Sequence, residues 1–315
     1  MIYPNFRRVL INRVPHWLRR LARLAKLWVH IPNIHLLLTL GNLEIWPFGE
    51  TYNPKLGSLT LKNYEMVVFL DTKGHLIAET QGLRIVVESE QDILTVREVI
   101  NQRPYDFLYQ KLCADPVVFW DVGMNIGVTS LLFASHPKVI KVYGYEPFAH
   151  TFACATETFL LNPLFQHKIC AYNYGLADRE AEHVVEYSWK NKASMGQETI
   201  STSARSKFSL TSSDISLETI SVKDAASTLR TIVHENPNAK IVAKIDCEGA
   251  EYKIITALEK AGLLTFLWAG MIELHQGRGA EMKHLFEALG FRADLHEDVS
   301  GAETSGFQML QLERC

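Results

Sequence analysis

The sequence predicts an α/β fold. A mostly parallel sheet of seven strands, with an antiparallel strand at its end and helices on both faces, follows a helical and α+β extension. Three observations carry this. Apolar runs such as Val117–Val122 and Ile241–Ile245 alternate with helix-length segments, as in βαβ units whose strands are buried on both faces. Acids recur at the carboxyl ends of these runs: Asp121, Glu146, Asp178, Asp246 and Glu273. The last two runs, Phe291–Leu295 and Gly306–Leu312, are separated by a Gly/Ser turn that suits a terminal hairpin.

At 315 residues the chain exceeds one minimal domain, so one main domain with an extension is expected. The boundaries fall at residues 1–60 (a basic helical extension and connector), 61–115 (a small α+β lead-in) and 116–315 (the main domain). With 47% hydrophobic and 21% charged residues the composition is that of an ordinary globular protein. The net charge of −3 is uneven: residues 1–40 carry +7 and no acid, which leaves −10 on the rest. That asymmetry suits an anionic partner for the tail alone and argues against nucleic-acid binding by the body. The five cysteines are odd in number and widely spaced, without a CxxC pair, so neither a disulfide framework nor a zinc site is indicated. No apolar run reaches the roughly 18 residues of a membrane span, and no secretory signal is visible. A cytoplasmic location follows as the expectation, with room for peripheral contact at the inner face of a membrane. Oligomeric state is not legible.

Residues 16–30 form an amphipathic helix, with Trp17, Leu21, Leu24 and Trp28 on one arc and Arg19, Arg20, Arg23 and Lys26 on the other. It suits an anionic membrane surface, or a packing face on this protein or its dimer mate. From Thr39 to Leu61, Gly and Pro interrupt the pattern, which reads as a loop-rich connector. Met66–Leu70 and Leu83–Val87 read as strands joined through a turn at Asp71–Gly74. Thr95 to Leu112 reads as helical with a break at Pro104, and no catalytic constellation is visible before residue 115.

Val117–Val122 then enters the turn Gly123-Met124-Asn125-Ile126-Gly127, which opens a helix at Val128. Val139–Tyr145 is the second strand, followed by Glu146-Pro147 and a helix to about Leu161. Ile169–Leu176 reads as the third strand, ending at Ala177-Asp178. Residues 188–213, rich in Ser, Thr, Gly and Lys, read as a mobile excursion. Ile241–Ile245 leads through Asp246–Glu251 into a helix ending near Leu258, Leu267–Ile272 runs into Glu273-Leu274-His275, and a last helix covers Met282–Leu289.

Ligands of open α/β sheets bind beyond the carboxyl ends of the strands. Glu146 lies 23 residues after Gly123, near where an acid takes ribose hydroxyls in dinucleotide sites. A P-loop is excluded, because Val128-Thr129 follows Gly127 where Lys-Ser/Thr is required. A nicotinamide enzyme normally shows GxGxxG, and a carboxylate at Asp121 would repel a pyrophosphate while suiting a cationic amino-acid tail. The donor that fits is S-adenosylmethionine, with its ammonium, sulfonium and ribose diol. The competing expectations are an NAD-dependent oxidoreductase on the same turn, and a catalytically silent membrane-surface scaffold.

Three stretches, Asp121–Gly127, Tyr145-Glu146-Pro147 and Lys244–Glu251 (Lys-Ile-Asp-Cys-Glu-Gly-Ala-Glu), resemble the FkbM family of S-adenosylmethionine-dependent methyltransferases. The third matches that family's K-I-D-x-E-G-x-E signature, with Cys247 where valine is frequent. The resemblance covers roughly residues 83–295, and implies a Rossmann-like class I methyltransferase fold and O-methylation of sugars, glycans or natural-product scaffolds. The glycine turn and the acids at the strand ends, taken with these stretches, put Asp121, Gly123, Met124, Asn125, Gly127, Glu146, Pro147, Asp178 and Asp246 around the cosubstrate.

Methyl transfer is an in-line displacement, and a hydroxyl acceptor needs a general base within hydrogen-bond reach. Asp246, Glu273 and His275 are the candidates, His275 because its ordinary pKa of about 6.5 suits proton transfer at neutral pH. A histidine satisfied by a neighbouring carboxylate is the equal alternative. Asp246, Glu248 and Glu273 also offer oxygen ligands for Mg²⁺, on a signal too short to favour a metal. Glu248 suits a helix N-terminus, and Glu251 reads as an acid of a first helical turn.

Overall fold

The computed structural model describes residues 34–42, 50–112, 115–194, 199–200, 205–206, 210–275, 277–297 and 308–315. The expected amphipathic helix at 16–30 lies outside these residues. No helix among the described residues is long and apolar enough to cross a membrane.

A seven-stranded sheet forms the centre. Its strands are β6 (Val117–Val122), β7 (Val139–Tyr145), β8 (Ile169–Tyr172), β12 (Lys240–Ile245), β13 (Leu267–Leu274), β14 (Phe291–Glu297) and β15 (Gln308–Arg314), in the order β14-β15-β13-β12-β6-β7-β8. All neighbours from β13 to β8 are parallel, while β15 runs antiparallel to both β13 and β14. The expected terminal hairpin is present, and the last strand is inserted beside β13 rather than at the edge.

Every residue of β6 is buried, which is why it reads as an unbroken apolar run. Val118, Trp120 and Val122 point to one face, where α7 (Ala225–Glu235), α8 (Glu251–Lys260) and α9 (Gly279–Ala288) pack. Val117 and Phe119 point to the other, against Leu108 of α3 (Asp106–Gln110) and Phe133 of α4 (Val128–Ser135). α5 (Ala149–Leu160) lies on that same side. Phe119 and Phe133 stack with ring centroids 3.8 Å apart.

The extension departs from its sequence reading. Strands β1 (Glu50–Asn53), β2 (Ser58–Leu61), β3 (Met66–Leu70), β4 (Leu76–Thr80) and β5 (Leu83–Val86) form a five-stranded antiparallel meander. The stretch read as a loop-rich connector therefore holds two strands, its Pro54 and Gly57 forming the turn of a hairpin. The turn at Asp71–Gly74 is real, but it leads into β4, and a second turn precedes β5. α2 (Glu90–Val96), capped by Ser89, continues as a π-helical turn to Gln102, so the helix begins earlier than read.

The third strand is also corrected. Ile169–Leu176 is two strands: β8 stops at Tyr172, and β9 (Gly175–Ala177) joins a separate three-stranded sheet in the order β10-β11-β9, with β10 (Ala181–Tyr187) and β11 (Ser216–Asp224). Part of the excursion between β10 and β11 is firmly held. Buried Lys192 donates to Glu88 at 2.7 Å and to Asp92 at 3.0 Å, tying the segment to the start of α2.

Candidate active site

The site is assembled where β6, β7, β12 and β13 end. Parallel registry brings Lys244 of β12 and Gly144 of β7 to either side of Asp121. The ladder continues into the loops: the amides of Gly123 and Met124 both donate to the carbonyl of Tyr145, and that of Asp246 donates to Val122.

The turn itself needs left-handed backbone at Gly123 (φ 81°), Asn125 (φ 53°) and Gly127 (φ 82°). Asn125 tolerates this because its own Oδ1 accepts from the amide of Ile126 at 2.8 Å. A Cβ at Gly123 would overlap the backbone carbonyl of Asp246, so this glycine lets two loops touch. Gly127 serves helix packing in the same way, since a Cβ there would lie 2.6 Å from the Phe159 ring. The buried Met124 side chain fills the space that Gly144 leaves open beneath the turn.

Asp121 is not open at the strand ends. Its carboxylate is wholly buried under the turn, taking a hydrogen bond from Ser130 Oγ at 2.6 Å and lying 3.6 Å from Lys244 Nζ. Burial raises its pKa against the pull of Lys244. The sequence argument that this acid faces an amino-acid tail is thereby corrected: Lys244 neutralises it from within. Lys244 also donates to the Gly123 carbonyl at 2.5 Å and to Asp246 Oδ2 at 3.2 Å. Burial opposes its charge, but Asp246 and Asp121 more than offset that, and its pKa stands well above the ordinary value.

Glu146 is held by two backbone amides. Its Oε2 accepts from the amide of Asn125 and its Oε1 from that of Phe148, both at 3.0 Å. Burial pushes its pKa up to about 7 against those two hydrogen bonds. Asn173 at the end of β8 donates to the carbonyls of Glu146 and Pro147 and so fixes the loop. Asp178, expected at the end of the third strand, is exposed in the turn between β9 and β10.

On the β12 and β13 side, buried Glu251 accepts from the amides of Cys247 and Gly249 at 3.0 Å, and its Oε1 lies 3.1 Å from His275 Nδ1. Burial raises its pKa, yet the His275 and Gly249 hydrogen bonds prevail and hold it below the ordinary value. His275 Nε2 lies 3.3 Å from Glu248 and 3.5 Å from Glu273. Burial disfavours the imidazolium, but hydrogen bonds to Glu251 and Glu273, with the charge of Glu248, push the pKa up to about 11. This favours the imidazolium and weighs against His275 as the general base. Glu248 is raised to about 8 and Glu273 to about 7, each first by burial and then by the charge of Asp246.

Four residues of this site carry roles that the sequence reading did not assign. Ser130 and Asn173 have no sequence signal beyond their polarity. Lys244 had one: a lone cation inside an apolar strand requires a buried partner. Tyr105 comes from the lead-in, and its half-buried phenol is raised in pKa by desolvation and couples to Lys244, Asp246, Glu273 and Asp121. Asp246, Glu248 and Glu273 are not among the groups close enough to share one ion. Among the described residues that spacing is met by Glu88, His150 and Cys154, where Lys192 already binds Glu88.

A doubly wound sheet of this strand order, with a left-handed glycine turn after its central strand and a backbone-held acid after the next, defines a Rossmann-like, S-adenosylmethionine-dependent class I methyltransferase. The chain belongs to the FkbM methyltransferase family, since residues 121–293 match the methyltransferase FkbM domain. The hexuronic acid methyltransferase AglP of Haloferax volcanii is 24% identical over 204 residues, 64% of this chain and 75% of that protein. Among solved structures, methyltransferase FkbM of Methylobacillus flagellatus KT aligns at 15% identity and a TM-score of 0.41, covering 70% of this chain and 54% of that one. TYW2 of M. jannaschii, in complex with AdoMet, aligns at 12% identity and a TM-score of 0.36, covering 79% and 94%. The family membership decides against the nicotinamide and silent-scaffold alternatives.

Proposed function

We propose that this protein methylates a hydroxyl of a sugar or glycan, with the donor on the Gly123–Gly127 turn and the acceptor against Asp246, Glu248 and Glu273. The observation that carries this is the Glu146 carboxylate, held by the amides of Asn125 and Phe148 with acceptor capacity left for a ribose diol. S-adenosylmethionine, when bound, supplies an electrophilic methyl group on a sulfonium. The chain's own residues do the rest. Lys244 holds the turn against the Asp246 loop, and Glu146 orients the ribose.

Glu273 is the base we assign. Its raised pKa of about 7 lets it accept a hydroxyl proton near neutrality, and His275 at 3.5 Å stabilises the carboxylate it must first become. The sugar acceptor is supported by the sequence likeness to a hexuronic acid methyltransferase. A role for residues 16–30 in peripheral membrane contact belongs to the same proposal, and rests on their sequence pattern.

Calorimetry with S-adenosylhomocysteine tests the donor site. Saturable binding that Glu146→Ala weakens at least tenfold is expected, and no binding by folded protein would refute the reading. Glu273→Gln should lower kcat by roughly 10²–10⁴ with S-adenosylhomocysteine affinity retained. A near-wild-type rate would move the base role to Asp246 or to solvent.

A further inference from the structure

The lead-in and the main domain also meet at a group of side chains that the methyl-transfer site does not use. Glu88 follows β5, while His150 and Cys154 stand four residues apart on α5 and so share one face of that helix. Glu88 Oε2 lies 2.7 Å from His150 Nε2 and accepts from the buried Cys154 Sγ at 2.9 Å. A carboxylate oxygen, an imidazole nitrogen and a thiol sulfur thus gather within 4.8 Å of one another, from segments 62 residues apart. That separation in the chain is why the sequence shows no ligand cluster.

The three atoms are the donor set of a zinc-type dication. Carboxylate, imidazole and thiolate all bind zinc, and the sulfur and nitrogen select it over magnesium or calcium. Tetrahedral zinc, with bonds of about 2.0–2.3 Å, sets its ligand atoms roughly 3.3–3.8 Å apart. The two hydrogen-bond contacts therefore have to open by less than about 1 Å. His150, with 47% of its side chain exposed, has room to turn that far.

Lys192 completes the charge balance. Its buried ammonium lies 2.7 Å from Glu88, 3.0 Å from Asp92 and 3.5 Å from Cys154 Sγ. A carboxylate offers about four lone-pair sites, so Glu88 can keep Lys192 while it binds a metal. Glu88, Asp92 and a Cys154 thiolate set against one ammonium leave two negative charges, which a dication cancels. Burial opposes the charge of Glu88, but His150 and Lys192 hold its carboxyl far below the ordinary range. Burial pushes the Cys154 thiol up to about 12, so a metal that binds the sulfur displaces its proton to solvent.

We propose that Glu88, His150 and Cys154 form a zinc site, completed by water from the exposed His150 side, that ties the lead-in to α5. The helix starts directly after Phe148, whose amide holds Glu146, so the tie also steadies the acid of the donor site. The zinc site stands whichever donor binds there.

The test uses the full chain, stripped of metal with a chelator and titrated anaerobically with Co²⁺, whose bond to a thiolate gives a charge-transfer band in the near ultraviolet. The expected result is a band that saturates at one equivalent and is bleached by Zn²⁺. Cys154→Ser should remove the band, and His150→Ala should weaken Co²⁺ binding at least tenfold. His150 is exposed, so His150→Ala keeps the fold, which circular dichroism checks. Zn²⁺ should also raise the melting temperature of the wild type by roughly a few degrees and leave that of His150→Ala unmoved. No band, a band kept in Cys154→Ser, an affinity unmoved by His150→Ala, or a melting temperature indifferent to Zn²⁺ would each overturn the proposal. Calorimetry with S-adenosylhomocysteine on the metal-free protein keeps the two sites apart, since retained binding without the cobalt band refutes only the zinc site.

Discussion

At His275 three carboxylates converge on one imidazole, and that geometry reassigns its role. A histidine whose pKa is pushed up to about 11 gives its full stabilisation below about 6.5 and loses it only as the pH climbs through about 11. At neutral pH it is a fixed charge that keeps Glu248, Glu251 and Glu273 together. Glu248 has the same sense over a lower pH interval. Its pKa is about 8 in the fold against an ordinary 4.5, so the folded chain binds more protons than the unfolded one across that interval. Glu248 thus stabilises most below pH 4.5, and stability drains away as the pH rises through about 8. Glu248→Gln cannot ionise and should escape this loss. The melting temperature of the variant should rise relative to wild type by roughly a few degrees between pH 5 and pH 9. A difference constant with pH would show that burial does not govern Glu248.

Among the elements, the junction of the β6 and β12 loops matters most. The Gly123 backbone lies so close to Asp246 that any side chain must push the loops apart. Gly123→Ala should therefore abolish S-adenosylhomocysteine binding by disturbing loop packing, and should also lower the melting temperature. A variant that binds poorly but melts like wild type would mean that the glycine serves ligand approach alone. Lys244→Met makes the complementary prediction. It leaves Asp121 buried with Ser130 as its remaining partner, and losing one member of a buried pair costs about 3–5 kcal/mol. Urea denaturation measures that directly, and a loss below about 1 kcal/mol would show that Asp121 is readily accommodated without the lysine.

Across the whole molecule, the lead-in and the main domain share one core. Leu59, Val68, Ile85 and Val96 of the extension belong to the same buried cluster as Met124, Ile126, Val128, Leu131 and Phe159. The backbone is joined as well: the amide of Val86 donates to Thr158 Oγ1, and Asn162 exchanges hydrogen bonds with Arg84. The cofactor turn is thus packed from outside the domain that carries the family motifs. Residues 116–315 expressed alone should be insoluble or should unfold non-cooperatively, whereas residues 34–315 should melt in one transition. Calorimetric scans of the two fragments check this, and a cooperatively folded short fragment would make the lead-in an independent accessory.

Alternation of buried apolar runs with helical segments was enough to place the strands of the main sheet. The glycine turn, Glu146 and the Lys244–Glu251 segment were enough to point to a sulfonium donor, because these signals are local in sequence. Legibility failed where chain neighbours did not decide the outcome. β1 and β2 were hidden among turn residues, since four-residue strands have too little alternation to register. Asp178 was misplaced because an apolar run does not reveal that two consecutive strands belong to different sheets. The direction of Asp121, the clamping of His275 and the arrival of Tyr105 depend on strands and helices far apart in the chain. Composition and motif determined which donor this protein handles. Only the tertiary structure decided which acids are buried and which stay open at the strand ends, because register and burial set both where a side chain points and whether it carries charge.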